Sequence, residues 1–390
     1  MPRTAAKNSL LLFAYLASFF YAFHYALPLY IQSSFLFKFT PTADAVGTVF
    51  AVGALAVIIA TLLFSRLLKR FGNYRVIRLA IIAQIILLAI LATNKNPFII
   101  LPAFILSQVF LNIIYLNLNA FVESLSANTK TGGIRGIFLT VLNVAIAGAP
   151  LLAGLLLTDH DFEKIYLMAI VFLVAVYFVI SLNFRTYKDP VYETPSLIET
   201  MRRIGKSHDL HSIIFIVFLL NLFYTLMVIY TPIYLNETMG IPMSTILTTI
   251  IPITLIPFII FQIALGKIAD KRLGETEILA VGFLILAVST AALSSITTGS
   301  VAIWTGVLFL TRVGASAIEV MAESYLYKKV NSRDMHIVTF MFVVRTSAYI
   351  IGPLVASTVL AYFDYRYLFL ILGAIMLLGI PYSLSIRDTK

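Results

Sequence analysis

Four polar side chains interrupt a single apolar stretch near the end of this chain: Arg312, Ser316, Glu319 and Glu323, at i, i+4, i+7 and i+11. On an α-helix that spacing draws one narrow stripe. A carboxylate inside an apolar stretch can take up and release a proton, and while charged it competes for a nearby cation. Arg345, in the following apolar stretch, falls at about the depth of Glu319, so a Glu319–Arg345 ion pair is expected, either as a proton-sensitive switch or as a static pair holding two helices together. Gln108, Asn112, Tyr115 and Asn119 repeat the stripe 204 residues earlier, with amides and a phenol in place of the charges. His24 stands in mid-stretch and reads as a proton relay, a substrate contact or a hydrogen-bonded packing residue; Asn221 and Thr225 share a face of another stretch. Glu123 and Glu323 lie near stretch ends, where binding a basic loop competes with proton chemistry.

The elements that must position these groups follow from composition. Of 390 residues 60% are hydrophobic and only 12% charged, whereas a soluble domain is about 25% charged. The mean hydropathy of +0.97 points to the bilayer as the solvent. There, only helices or closed barrels satisfy their backbone, and the long apolar runs exclude the alternating pattern of a barrel. Apolar segments near 9–33, 44–65, 76–93, 97–121, 135–157, 164–184, 211–235, 244–265, 277–297, 300–324, 336–361 and 366–386 make twelve spans. The first is read as a retained span rather than a cleaved leader. If the segment ends alternate sides, 22 of the 28 Lys and Arg fall on one side, which the positive-inside rule makes cytoplasmic, together with both termini. The net charge of +10 is thereby explained as topogenic, and no nucleic acid is expected as a partner.

Six-span halves repeat. Pro28-Leu-Tyr30-Ile-Gln32 recurs as Pro232-Ile-Tyr234-Leu-Asn236, Glu123-Ser124 as Glu323-Ser324, and Gly148-x-Pro150 as Gly352-Pro353. Six spans per half is even, so the repeats run parallel about an axis along the membrane normal, an arrangement suited to alternating access. The expected organisation is an N-terminal bundle at 1–185, a cytoplasmic linker at 186–210 and a C-terminal bundle at 211–390. In the linker, Ser196 and Glu199 read as a capping box, with Leu197, Met201 and Ile204 on a face opposite Arg202 and Lys206: a short amphipathic helix, or else a plain flexible linker.

The connection Gly266-Lys-Ile-Ala-Asp270-Lys-Arg-Leu-Gly274 resembles the G-x-L-A-D-R-x-G signature of major facilitator superfamily transporters. The first copy, Ser65-Arg-Leu-Leu-Lys69-Arg-Phe-Gly72, has Ser for the leading Gly and Lys for the Asp. Gly148-Ala-Pro150-Leu-Leu-Ala-Gly154 resembles the span 5 motif of the drug:proton antiporter branch, and Leu310-Thr-Arg312-Val-Gly-Ala315 resembles an arginine motif that the branch carries in span 4. The resemblance implies an all-α integral membrane fold of twelve transmembrane helices in two pseudo-symmetric six-helix bundles, with spans 1, 4, 7 and 10 lining a central cavity. It makes Gly266, Asp270 and Gly274, and with them Gly148, Pro150, Gly352 and Pro353, candidates for gating.

The function expected is secondary active transport of a small organic solute across the cytoplasmic membrane, proton-coupled through Glu319 or Glu323, of the multidrug or amphiphile efflux antiporter type. An organic-anion or metabolite carrier using Arg312 and Arg345 is the alternative, and a non-transporting membrane receptor is the alternative of another class. Five dispersed histidines, no cysteine and no phosphate-binding loop leave no enzyme, metal, nucleotide or cofactor site in the pattern. The partners expected are the solute, protons and the lipid bilayer, with the chain a monomer.

Overall fold

Backbone amides that meet no water must bond within their own segment, and the long apolar runs of this chain accordingly fold as helices. The computed structural model describes residues 2–40, 42–125, 131–157, 162–189, 197–271, 274–329 and 335–387; within these, side chains at 2–8, 131–136, 139, 197–199, 203, 262–271, 327–329 and 335–339 are left aside. Among the described residues, eleven helices are long and apolar enough to cross a membrane. The remaining span is α6, Thr131–Leu156, whose described apolar part is Thr140–Leu156.

Contacts divide the chain into two compact units, Met1–Pro41 with Val52–Thr194, and Thr42–Ala51 with Pro195–Lys390. In the first, α1 (Pro2–Leu29) packs against α7 (Glu163–Asn183), α6 and α5 (Pro97–Leu125), while α4 (Asn73–Thr93) packs against α5 and α7. The short α2 (Gln32–Phe37) follows α1, and α3 (Ala43–Phe71) is the second span. In the second unit, α9 (His208–Ile233) packs on α14 (Met335–Tyr362) and α13 (Val301–Lys329). Span 8 is composite, with α10 (Met243–Thr245), a π-helical turn at Ile246–Ile250 and α11 (Ile251–Lys271); α12 (Glu275–Ala292) then crosses α13, and span 12 is broken into α15 (Arg366–Met376) and α16 (Gly379–Ser385).

Large apolar side chains stand exposed on these helices, with Phe98 at 88% and Leu155 and Leu182 at 77%. In water such a surface would drive aggregation; in a multi-pass membrane protein it is the lipid-facing side. Inside the second unit, small residues let backbones touch. A Cβ on Gly314 would fall 2.6 Å from the Gly282 carbonyl oxygen and 2.7 Å from the Leu286 nitrogen, so α12 and α13 cross in backbone contact. That crossing fixes α13 two residues beyond Arg312.

The linker holds a helix, α8 (Leu197–Lys206), packed on α9 and α14. Its protein-facing side is Thr200 and Ile204, one turn apart and both buried, with Met201 at the rim and 58% exposed. Arg202 and Lys206 are exposed. The residue expected to open its capping box, Ser196, lies outside the described residues.

Candidate functional site

The Arg312–Glu323 stripe runs along α13 as its helical spacing requires, but its members differ in surroundings. Arg345 Nη2 on α14 donates to Glu323 Oε1 at 3.0 Å, with the two side chains 34% and 26% exposed. Matched depth favoured Glu319 as the partner; the ion pair lies one turn further along α13. A guanidinium on a long flexible stem reaches a full turn along a neighbouring helix, so depth does not select its carboxylate. Glu319 instead meets the Tyr224 hydroxyl of α9, which donates to Oε2 at 3.5 Å, and it stays within electrostatic reach of Glu323 and Arg345. Tyr224 in turn packs against Phe258 of α11, ring centroids 6.2 Å apart. A hydroxyl, two carboxylates and a guanidinium from three helices thus gather in one half-buried cluster.

Arg312 is buried, 7% exposed, beneath the Phe223 ring of α9 at 5.2 Å from its centroid. Ser316 is fully buried, its hydroxyl bonded back to the Val313 carbonyl. On α9, Asn221 Nδ2 bonds to the Val217 carbonyl and Thr225 Oγ1 to the Asn221 carbonyl. Thr225 also abuts Gly352 of α14, where a Cβ would fall 2.9 Å from Thr225 Cγ2, so Gly352-Pro353 marks a tight α9–α14 contact.

In the first unit the four-residue stripe of α5 is half-buried at Gln108, Asn112, Tyr115 and Asn119, and the residues between the last two, Leu116, Asn117 and Leu118, are buried. Gln108 Nε2 donates to Gln32 Oε1 at 3.3 Å, and Asn112 Nδ2 to Thr61 Oγ1 of α3 at 2.9 Å. Tyr115 stacks on Tyr21 of α1, centroids 6.1 Å apart, while Asn119 Nδ2 bonds the Tyr115 carbonyl. His24 is fully buried: Nδ1 lies 3.3 Å from the Ala169 carbonyl oxygen of α7 and Nε2 3.5 Å from Gln84 Nε2 of α4. Donation from Nδ1–H to the carbonyl leaves Nε2 to accept from the Gln84 amide, an arrangement that knits three helices. Gly148 of α6 makes ordinary contact with Phe23, 3.7 Å from its ideal Cβ to the ring, and Pro150 lies two residues on in the same helix.

The first copy of the loop signature lies among the described residues, the second only in part. In the first, Gly72 caps α4 at φ +76, and its ideal Cβ would fall 2.7 Å from Asp189 Oδ2. Asp189, in the segment after α7, accepts a hydrogen bond from the Asn73 N–H at 2.9 Å. A carboxylate therefore does sit on the N-terminus of α4, where the helix dipole favours it, although Lys69 occupies the acidic position of the signature. In the second copy Gly274 caps α12 with extended φ −74 and ψ 173, a conformation open to any residue. The Gly266 and Asp270 side-chain positions lie outside those described.

Tyr224 and Asp189 escaped the pattern reading. Tyr224 shares a face with Asn221, three residues earlier, but one phenol among 20 Tyr carries no signal of its own. Asp189 lies in a polar linker with no periodicity and 116 residues from the amide that it caps.

The family model described as Major Facilitator Superfamily matches residues 10–347. No curated protein sequence matches the chain. Among solved structures, the chain resembles an auto-inhibited peptide transporter of the POT family with a TM-score of 0.80 at 11% identity, covering 98% of each chain. It also resembles a POT family transporter in complex with 5-aminolevulinic acid, TM-score 0.79 at 12% identity, covering 95% of this chain and 94% of that one. A bacterial homologue of the human lysosomal transporter Spinster, inward-facing and unoccupied, gives a TM-score of 0.71 at 12% identity, covering 97% and 93%. At such identity the likeness is one of fold.

Proposed function

The chain belongs to the major facilitator superfamily, whose members are transporters rather than enzymes, and on that premise we propose that it carries a small organic solute by proton-coupled alternating access. The observation that carries the coupling is the half-buried group of Tyr224, Glu319, Glu323 and Arg345. Arg345 holds Glu323 while the latter is charged; a proton on either carboxylate weakens the attraction and frees the guanidinium. Proton binding and helix movement then share one set of contacts. Tyr224 gives Glu319 a donor while it is ionised and an acceptor once it is protonated, so neither state is left unmet.

The charge bias of the loops supports both termini on the cytoplasmic side, and we take the chain to act as a monomer in the cytoplasmic membrane. The 30 Phe and 20 Tyr suit an amphiphilic solute, moved by efflux in exchange for protons. The similar folds named above are described as carrying peptides or holding 5-aminolevulinic acid, so the fold does not choose among cargoes. An organic-anion carrier is the second reading. It is favoured by Arg312, because Arg345 already has Glu323.

Uptake of an amphiphilic fluorophore into proteoliposomes, with and without an imposed proton gradient, tests the coupling. The gradient is expected to drive accumulation in the wild type, and Glu319→Gln to abolish accumulation while sparing downhill exchange. Transport indifferent to the gradient and unchanged in Glu319→Gln would refute it.

A further inference from the structure

Arg312 lies eleven residues into a 29-residue helix, about 16 Å along its axis. That is too deep for the side chain to reach either end. It is 7% exposed, and its Nη1 is buried with no hydrogen-bond partner among the described residues. A guanidinium does not deprotonate in proteins, so this is a permanent charge. The one defined contact is the face of Phe223, 5.2 Å away. A cation–π contact offsets part of the loss of hydration but supplies no acceptor.

The α13 backbone that carries Arg312 is closely packed. Two residues on, Gly314 brings the α12 backbone into contact with α13, and the Thr311 hydroxyl is bonded to the Leu308 carbonyl. The buried Nη1, without a hydrogen-bond partner among the described residues, is one arm of a planar fork of N–H donors that is complementary to a carboxylate. Tyr224 and Phe258, packed together on the side towards Glu319, offer an aromatic surface for an apolar body attached to it.

We propose that Arg312 is the anchor for the carboxylate of an amphiphilic organic anion, the solute carried. This rests on the reading of the chain as a carrier and names the class of cargo; it does not depend on the coupling at Glu319. With the guanidinium against Phe223, the carboxylate would take the acceptor position at Nη1 that no described residue fills.

Phenylbutyrate and its uncharged amide, phenylbutyramide, are the probes, applied to the purified full chain as thermal shifts and to proteoliposomes as uptake. The acid is expected to stabilise the wild type and the amide not. Arg312→Gln should weaken the response to the acid about ten- to a hundredfold, the range for loss of a hydrogen bond to a charged group. Arg312→Lys should recover part of it, keeping the charge and losing the fork. Ligand-free Arg312→Gln should melt no lower than the wild type, since no partner is orphaned. Equal responses of the wild type and Arg312→Gln, or no response of the wild type to the acid, would overturn the proposal. Gradient-driven transport of an uncharged amphiphile that needs Glu319 but not Arg312 leaves the coupling standing and removes the anchor. Arg312-dependent binding of the acid without any gradient effect does the reverse.

Discussion

Replacing Gly72 by alanine puts two separate demands on the turn between α3 and α4. The backbone there has φ +76 and ψ 154, a region held almost only by glycine, where a Cβ costs about 1–3 kcal/mol. The same Cβ would stand 2.7 Å from Asp189 Oδ2, so the carboxylate must leave, and the Asn73 N–H loses its acceptor. Loss of a helix N-cap costs typically about 1 kcal/mol. Together Gly72→Ala should destabilise by about 2–4 kcal/mol, less a few tenths for the stiffer unfolded chain. Gly240 provides the control, having φ +67 but no atom within 4 Å of its ideal Cβ. Gly240→Ala should therefore cost the backbone strain alone, about 1–2 kcal/mol. Asp189→Ala should cost at least the cap, and in the double variant Gly72→Ala with Asp189→Ala the cap is lost only once, so the effects fall short of their sum by about 1 kcal/mol. The chain has no cysteine, so melting is followed in detergent by the intrinsic fluorescence of Trp304 and the tyrosines rather than by a thiol dye. Gly72→Ala no worse than Gly240→Ala, together with strict additivity in the double variant, would show that Asp189 does not cap α4.

Reversing the half-buried ion pair as Glu323→Arg with Arg345→Glu should restore the melting temperature lost in either single variant but not gradient-driven uptake, because the reversed charges face Glu319 differently; restored uptake would make the pair a simple strut. His24→Gln is expected to lower the melting temperature and leave the proton dependence of transport unchanged, as its ring nitrogens face Ala169 and Gln84 and its ring lies against Tyr21 in the core; an altered pH profile of uptake would make it a relay. Gly314→Ala, whose Cβ would meet backbone at 2.6 Å, should destabilise more than Gly352→Ala, whose Cβ meets a Thr225 methyl at 2.9 Å and costs about 1–3 kcal/mol by overpacking. The order of their melting temperatures checks this, and the reverse order would contradict the backbone crossing of α12 and α13.

The sequence by itself determined the solvent, the secondary structure and the faces. Apolar length on this scale leaves the bilayer as the medium, the medium leaves the helix, and the helical period then assigns Gln108, Asn112, Tyr115 and Asn119 to one face, and Arg312, Ser316, Glu319 and Glu323 to another. Those inferences need only local rules, because hydrophobic length and a 3.6-residue period are properties of a segment. Tertiary structure decided which groups on those faces meet. It paired Arg345 with Glu323 rather than Glu319, gave Tyr224 to Glu319, buried His24 between Ala169 and Gln84, and brought Asp189 to the helix end where Lys69 stands in the acidic position. Each of these depends on how closely two helices approach, set by contacts such as Gly314 on Gly282, and on the reach of a flexible side chain along its neighbour. Spacing along one helix carries neither quantity, and so the stripe was legible in the sequence while the burial of Arg312 within it, with Nη1 unmet among the described residues, was not.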